Sequence, residues 1–441
     1  MSRTTPEDGA RNAPAEEERS ATYREVLAIG EYRTLFSANL LSMVGDYFAK
    51  AAITALVFAE TKSPGLSAAA FALSYAPWLT IGPLLATLAE RYPYRNVMIA
   101  CDVTRMLLVA LVALPGMPLW AMLALLFLAS MASPPAQAAK SAMLPQILLG
   151  DRLAIGGALN LTSGQIAQVG GYLIGGMIAA VDPRAALLLD AATFGLSALM
   201  LSLWVRRREP VPTPRHHLAR ETADGFRMVF TSPPMRSIAL LVFSAMLFTT
   251  VPEGLGAAWA ADLTDAEGTR GLWQGMIMMS YPLGAAIGAL VLTRLLSPAR
   301  RRALLLPFSL AIPAVLIPAL LQPSLVWVCA MGVVGGMAVA GMMPTSNALF
   351  ARVLPDGYRA RAFGVMQMGV QLSQGAGILA AGLIAESTRL SVPVAIGMWS
   401  TFGLVMMTGV ALTWPRREMF DEALKRAAET PKASAQPVAA A

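Results

Sequence analysis

The sequence predicts an all-α integral membrane protein, with twelve transmembrane helices in two pseudo-symmetric six-helix bundles around a central cavity. Three observations carry that prediction. The chain is 56% hydrophobic and only 14% charged, whereas soluble domains carry roughly 25% charged residues. Its apolar residues come in runs of about twenty, the length a helix needs to cross the hydrocarbon of a bilayer. Finally, several residues of the first half recur in the second at nearly one offset.

Six apolar runs precede the middle of the chain: Leu35–Ala59, Leu66–Ala89, Val97–Leu114, Leu119–Met143, Leu159–Val181 and Ala185–Val205. Six follow it: Ser237–Ala261, Leu272–Leu296, Ala303–Leu320, Leu325–Leu349, Ala362–Ala385 and Val392–Trp414. The expected organisation is a disordered tail over 1–30, a first bundle over 31–205 and a linker over 206–236 with room for an interfacial helix. A second bundle over 237–414 and a tail over 415–441 complete it. The first thirty residues are polar and lack a signal-peptide pattern, so the first span is expected to insert uncleaved.

Lys and Arg set the orientation. With a cytoplasmic amino terminus the outer loops hold only Lys62, Arg184, Arg270 and Arg389, while clusters such as Arg206–Arg208 and Arg300–Arg302 fall inside. The positive-inside rule then places both termini in the cytoplasm of a multi-pass cell-membrane protein. Anionic lipid accounts for the net charge of +7, leaving no need for a nucleic-acid partner. Trp120, Trp204, Trp273, Trp327 and Trp414 lie near span ends, as interfacial anchors do.

Two cysteines, Cys101 and Cys329, lie in distant spans, and the two histidines, His216 and His217, are adjacent in a basic loop. Neither pattern suits a disulfide framework or a His-based metal site. No metal or cofactor is expected.

The repeat is visible in three places. Phe36, Ser37, Ala38 and Asp46 correspond to Phe243, Ser244, Ala245 and Glu253; Pro134, Leu144 and Pro145 to Pro344, Leu354 and Pro355; and Gln168, Gly171 and Gly176 to Gln374, Gly377 and Gly382. Three sets in corresponding spans point to two parallel six-helix repeats.

The loop Ala86-Thr87-Leu88-Ala89-Glu90-Arg91-Tyr92-Pro93-Tyr94-Arg95 is similar to the Gly-x-Leu-Ala-Asp-Arg-x-Gly-x-Arg signature of the major facilitator superfamily, with Ala86 and Pro93 at the glycine positions and Glu90 at the aspartate. Leu354-Pro355-Asp356-Gly357-Tyr358-Arg359-Ala360-Arg361 also resembles that family's loop between spans ten and eleven. The chain resembles in particular the drug and siderophore exporter-like branch. The resemblance implies alternating access, with Glu90, Arg91, Arg95, Asp102 and Arg105 as a charge latch at the cytoplasmic ends of spans two and three. Gly170-Gly171-Tyr172-Leu173-Ile174-Gly175-Gly176 is similar to the antiporter signature Gly-Pro-x-x-Gly-Gly, with Tyr172 at the proline. That hints at export, while small residues spaced like Gly171, Gly175 and Gly176 equally serve close helix packing.

Asp46, Lys50 and Glu253 lie mid-span. A charge at the bilayer centre costs roughly 2.5 to 3.5 kcal/mol on insertion scales, so such groups face water or a partner. Asn39, Ser42, Asp46 and Lys50 follow steps of three and four and share a helical stripe expected to face the cavity. Asp46 and Glu253 read as proton carriers or cation-binding groups; alternatively Asp46 and Lys50, one turn apart, neutralise each other. Gln168 in span five and Gln371 in span eleven, with Gln165, Gln367 and Gln374, either bind substrate or join helices. Asp190 reads as a structural anion near the start of span six.

No Gly-x-x-x-x-Gly-Lys-Ser/Thr loop is present, so an ion gradient is the expected driver. The expected function is proton-coupled efflux of a small amphipathic molecule by a monomer, with the small-molecule substrate, the coupling ion and the lipid bilayer as partners. An uptake symporter of the same fold is the alternative. A non-transport membrane protein, or an embedded enzyme using Asp262, Asp265 and Glu267, is a more distant one.

Overall fold

A computed structural model describes residues 22–78, 91–208, 218–354, 359–388 and 390–415. Every regular element among them is helical, and nine of these helices are long and apolar enough to cross a membrane.

Span one runs over Gly30–Thr61 and stops where Lys62 adopts a left-handed φ of 54°. Span two opens with Pro64–Ala72, where the Ser63 hydroxyl accepts the Leu66 N–H at 3.0 Å and proline occupies the first turn. It continues as a 3₁₀ turn over Leu73–Trp78. Its remainder, with Ala86, Leu88 and Glu90 of the loop signature, lies outside the described residues. Span three is Tyr94–Val112, and span four is Leu119–Met131 followed by Ser133–Ile147, broken where Pro134 and Pro135 remove N–H donors. Spans five and six are Asp151–Val181 and Pro183–Trp204.

In the second half span seven comprises Pro233–Thr249, Val251–Gly254 and Gly256–Leu263. Spans eight, ten, eleven and twelve are Glu267–Leu295, Leu325–Val353, Arg359–Thr388 and Val392–Leu412. Span nine is Leu305–Ala314 with a 3₁₀ turn at Ile317–Leu321. Three spans fall short of the nine for visible reasons. Span two passes out of the described residues, span three carries Arg95, Asp102 and Arg105, and span nine is interrupted after Pro313. Together they complete twelve.

An even number of spans brings both ends of the chain to one side, the tail end; the other is the far end. Each half has its own core, around Val112, Met122 and Phe194 in the first and Ile238, Met342 and Phe350 in the second. A third cluster belongs to both: Ala51, Phe71 and Tyr172 pack with Trp259, Met278 and Ile378. Leu107, Leu188, Leu290 and Val405 remain exposed on the outside, the surface a bilayer would cover. Trp120, Trp204 and Trp327 are exposed at span ends, as anchors require. The segment between the halves contains a helix over Leu218–Thr231, and its Val229 is fully buried in the core of the second half.

Close approach of spans five and eight depends on glycine. A Cβ at Gly176 would sit 2.7 Å from the Gly275 Cα, and one at Gly175 would sit 2.8 Å from the Phe48 Cα in span one. A Cβ at Gly171 would lie 2.6 Å from that of Tyr47. Without side chains at these positions the backbones meet directly, which raises dispersion contact where the hydrophobic effect gives no drive. The antiporter-like glycines therefore do pack helices, and at Gly176 the packing joins the two halves.

Candidate functional site

A cavity of about 1040 Å³ lies mostly within the first half and meets a second of about 340 Å³ between the halves. Asn39, Ser42, Asp46 and Lys50 all line the larger one, so the stripe read from steps of three and four faces the interior. Tyr47, Lys50, Gln165 and Gln371 line both. Gln367 reaches the larger cavity, and Gln168 and Gln374 the smaller.

The charged groups pair differently from expectation. Asp46 does not bond Lys50. Its carboxylate accepts from an Nη of Arg105 at 3.1 and 3.4 Å, and the same nitrogen donates to the Ser133 hydroxyl at 2.7 Å. The Arg105 guanidinium also lies 4.5 Å from the centre of the Phe194 ring. Lys50 instead lies among aromatic faces, its Nζ 5.2 Å from the centre of Tyr47, 5.6 Å from Phe71 and 5.8 Å from Tyr75.

The predicted Asp102–Arg105 pair is not formed. Asp102 is buried and accepts from the Ser197 hydroxyl at 2.7 Å, while Arg105 reaches across to span one. Span three begins at Tyr94, so both residues lie two to three turns inside it and not at its end. Arg95 sits in the first turn and donates to the carbonyls of Leu201, at 3.2 Å, and Ser202. Both carbonyls lie in the last turn of span six, where helical donors run out, and that of Leu201 also accepts the Val205 N–H at 3.3 Å. Arg91 is exposed, and Glu90 lies outside the described residues. With the tailward side open, Arg95, Asp102 and Arg105 bond within the first half.

Asp190 is also displaced from its reading. It is the eighth residue of span six, beyond the first turn where a helix dipole acts. It is 1% exposed, lines the larger cavity, and leaves one carboxylate oxygen without a hydrogen-bond partner. Asp262, the first of the loop acids considered as metal ligands, caps span twelve by accepting the Val392 N–H at 2.7 Å.

Glu253 occupies the break in span seven. Pro252 has no N–H to give the carbonyl of Phe248, and Thr250 (φ −104°, ψ 4°) and Leu255 (φ −101°, ψ 6°) leave helical geometry on either side. The carboxylate is 2% exposed, faces the smaller cavity and accepts the Tyr172 hydroxyl at 2.7 Å. Tyr172 stands at the proline position of the antiporter-like motif. The residue by which the motif departs from its pattern is the one that bonds Glu253 across the halves.

The other described hydrogen bonds between halves lie toward the far end. Gln274 of span eight donates to the Ala51 carbonyl at 2.7 Å and the Thr54 hydroxyl at 2.9 Å. Glu386 of span eleven accepts from the Ser63 hydroxyl at 2.7 Å and the Gly65 N–H at 3.3 Å. Glu386 thereby sits at the start of span two, where free N–H groups and the helix dipole favour an anion. With the shared apolar cluster, these contacts close the far end, while the larger cavity extends tailward to Leu35 and Gly157. Replacing Glu386 by Ala is expected to raise the labelling rate of a cysteine introduced in place of Ser67 by about ten- to a hundredfold, the equivalent of one lost charge-assisted hydrogen bond of about 1.5 to 3 kcal/mol.

The sequence reading missed Lys140. It lies in span four, lines the larger cavity and donates through Nζ to the side-chain amide oxygen Oδ1 of Asn39. The insertion cost that singled out Asp46 applies equally to a lone lysine inside a span, so the signal was present. Gln274, Glu386 and Tyr172 carried no such signal, because their roles depend on partners in the other half.

A sequence model of the Major Facilitator Superfamily matches residues 35–260 and 250–440, almost the whole membrane region. The chain belongs to the major facilitator superfamily. The Enterobactin exporter EntS of Shigella dysenteriae serotype 1 (strain Sd197) is 30% identical over 165 residues, 37% of this chain and 38% of that exporter. The same exporter from Escherichia coli O139:H28 (strain E24377A / ETEC) is also 30% identical over 165 residues, again 37% and 38% of the two chains. The matched part spans less than two fifths of those relatives. Among solved superfamily structures, the nucleoside transporter NupG superposes with a TM-score of 0.71 at 15% identity, covering 88% of this chain and 99% of that one. A bacterial homolog of the human lysosomal transporter Spinster, inward-facing and occupied, gives 0.66 at 15% identity, over 93% and 96% of the chains. These likenesses show the fold.

Proposed function

We propose that this superfamily member is a secondary transporter of the alternating-access type, which exports a small amphipathic molecule across the cell membrane at the expense of the proton gradient. The observation that carries the reading is the Tyr172–Glu253 hydrogen bond of 2.7 Å. It joins span five of one half to the break in span seven of the other, so the affinity of Glu253 for a proton and the approach of the two halves depend on each other. That linkage is what coupling requires. A broken helix beside a cavity near mid-bilayer is a common setting for such a site.

Export is favoured by the similarity to the enterobactin exporters, which covers 37% of this chain. A siderophore or comparable natural product is the substrate class this suggests. The distribution of basic residues supports cytoplasmic termini, and on that reading the larger cavity opens inward here. Asp46, Lys50, Asn39, Gln168 and Gln371 would line the path of the substrate. The cavity lies within a single chain, which supports a monomer as the working unit.

The test uses everted vesicles from cells expressing the protein. Under an imposed proton gradient, the exported compound is expected to accumulate inside, with protons leaving the lumen in the same period. Accumulation only in right-side-out vesicles would replace export with uptake, and transport that ignores the gradient would remove proton coupling.

A further inference from the structure

The uncompensated charge within reach of a ligand in the larger cavity is positive. Among its carboxylates, Asp46 is paired with Arg105, and Asp102, which accepts from Ser197, is only 6% exposed. Asp190 lines the cavity and has an unpartnered oxygen, but at 1% exposure it presents almost no surface to a ligand. The lysines are placed otherwise. Lys140 is half-buried and gives a hydrogen bond to the neutral side-chain amide oxygen of Asn39. Lys50 is half-buried and held by three aromatic faces. Among the described residues neither has a carboxylate within 4.0 Å.

An ammonium group carries three donors and no acceptor. Holding it in a cavity with no ion-pair partner in contact is costly, and the cost falls when an anion enters. Lys140 bonds Asn39, and Lys50 is eleven residues further along the same helix, so the two positive groups are separated by about 16 Å along its axis. Tyr47 and Phe71 beside Lys50 offer ring faces, and Gln367 and Gln371 bring amide groups from the second half.

We propose that the larger cavity binds an elongated anionic molecule with an aromatic or similarly flat body, one acidic group at Lys50 and another at Lys140. This deepens the transporter reading by naming the charge class of its substrate, and it rests on that reading for the word substrate but not for binding. The cavity of about 1040 Å³ is at the upper end of sites for drug-sized ligands, which leaves room for such a molecule.

Three probes on one scaffold separate charge from shape: biphenyl-4,4′-dicarboxylate, its neutral diamide, and the dicationic 4,4′-bis(aminomethyl)biphenyl. Binding to the purified full-length protein in lipid nanodiscs is followed by tryptophan fluorescence and confirmed by equilibrium dialysis. The dicarboxylate is expected to bind at least tenfold more tightly than the diamide, and the dication more weakly than both. Lys50→Gln and Lys140→Gln should each reduce that preference about tenfold, whereas Lys50→Arg and Lys140→Arg, which keep the charge, should retain it. A preference for the dication, equal binding of all three, no binding of any at millimolar concentration, or a preference that survives both glutamine variants would overturn the proposal. Vesicle transport is scored separately. Dicarboxylate that binds but is not moved counts against the transport reading alone, and gradient-driven export of neutral compounds without anion preference counts against the anion site alone.

Discussion

Glu253→Gln is expected to abolish gradient-driven accumulation in everted vesicles while leaving the protein folded and inserted. Glutamine keeps the shape of the side chain and a carbonyl oxygen to accept the Tyr172 hydroxyl, so the contact between spans five and seven survives. What is lost is the ability to exchange a proton as the two halves separate. Movement down a substrate gradient should persist at a comparable rate, which is the signature of uncoupling as opposed to misfolding. Tyr172→Phe is the companion change. It removes the donor that reaches Glu253 at 2.7 Å but leaves the ring packed against Tyr47, whose centre is 5.0 Å away. A hydrogen bond to a charged group is worth about 1.5 to 3 kcal/mol, so coupled transport should fall about ten- to a hundredfold. If Glu253→Gln still concentrates substrate at the wild-type rate, the carboxyl has no part in coupling.

The second large effect concerns Arg105. Its guanidinium is 12% exposed, paired with Asp46, bonded to Ser133 and stacked on Phe194. Removing this largely buried cation leaves Asp46 without its partner, and the buried Asp102 and Asp190, which line the same cavity, lose the positive charge beside them. Arg105→Gln is therefore expected to lower stability by about 3 kcal/mol, read as a drop in the thermal midpoint of the detergent-solubilised protein. Asp46→Asn should cost only about 1 kcal/mol, since the Asp46 side chain is 36% exposed and water screens it. The double variant should lie well above the sum of the two losses, because it removes both charges of the pair. Strict additivity would mean that the pair is incidental. If Lys50→Gln rescued Asp46→Asn instead, the partner inferred from helical spacing would be the true one.

The contrast between Asp46 and its two candidate partners shows what one helix can and cannot disclose. Steps of three and four correctly placed Asn39, Ser42, Asp46 and Lys50 on one face, because that periodicity is a property of the helix itself. The same spacing offered Lys50 as the partner of Asp46 and Arg105 as the partner of Asp102, and neither pair is formed. Side chains one turn apart on a helix are neighbours, but in a bundle the facing helix competes for them. Arg105 reached span one and Ser197 of span six took Asp102.

The class of the molecule, its twelve spans, the relation between its halves and the presence of charges at their centres are all determined by the sequence alone. The reason is that the bilayer imposes a length on each helix and a penalty on each internal charge, and both are local. Tertiary structure alone decides which end is closed and which groups meet. Glu386 at the start of span two, Gln274 on the carbonyl of Ala51, Tyr172 on Glu253 and the bare glycine contact of Gly176 with Gly275 join residues of opposite halves. Such contacts depend on how two six-helix bodies lean together. That geometry follows from the sum of many weak packing terms across the interface, and no single helix contains it.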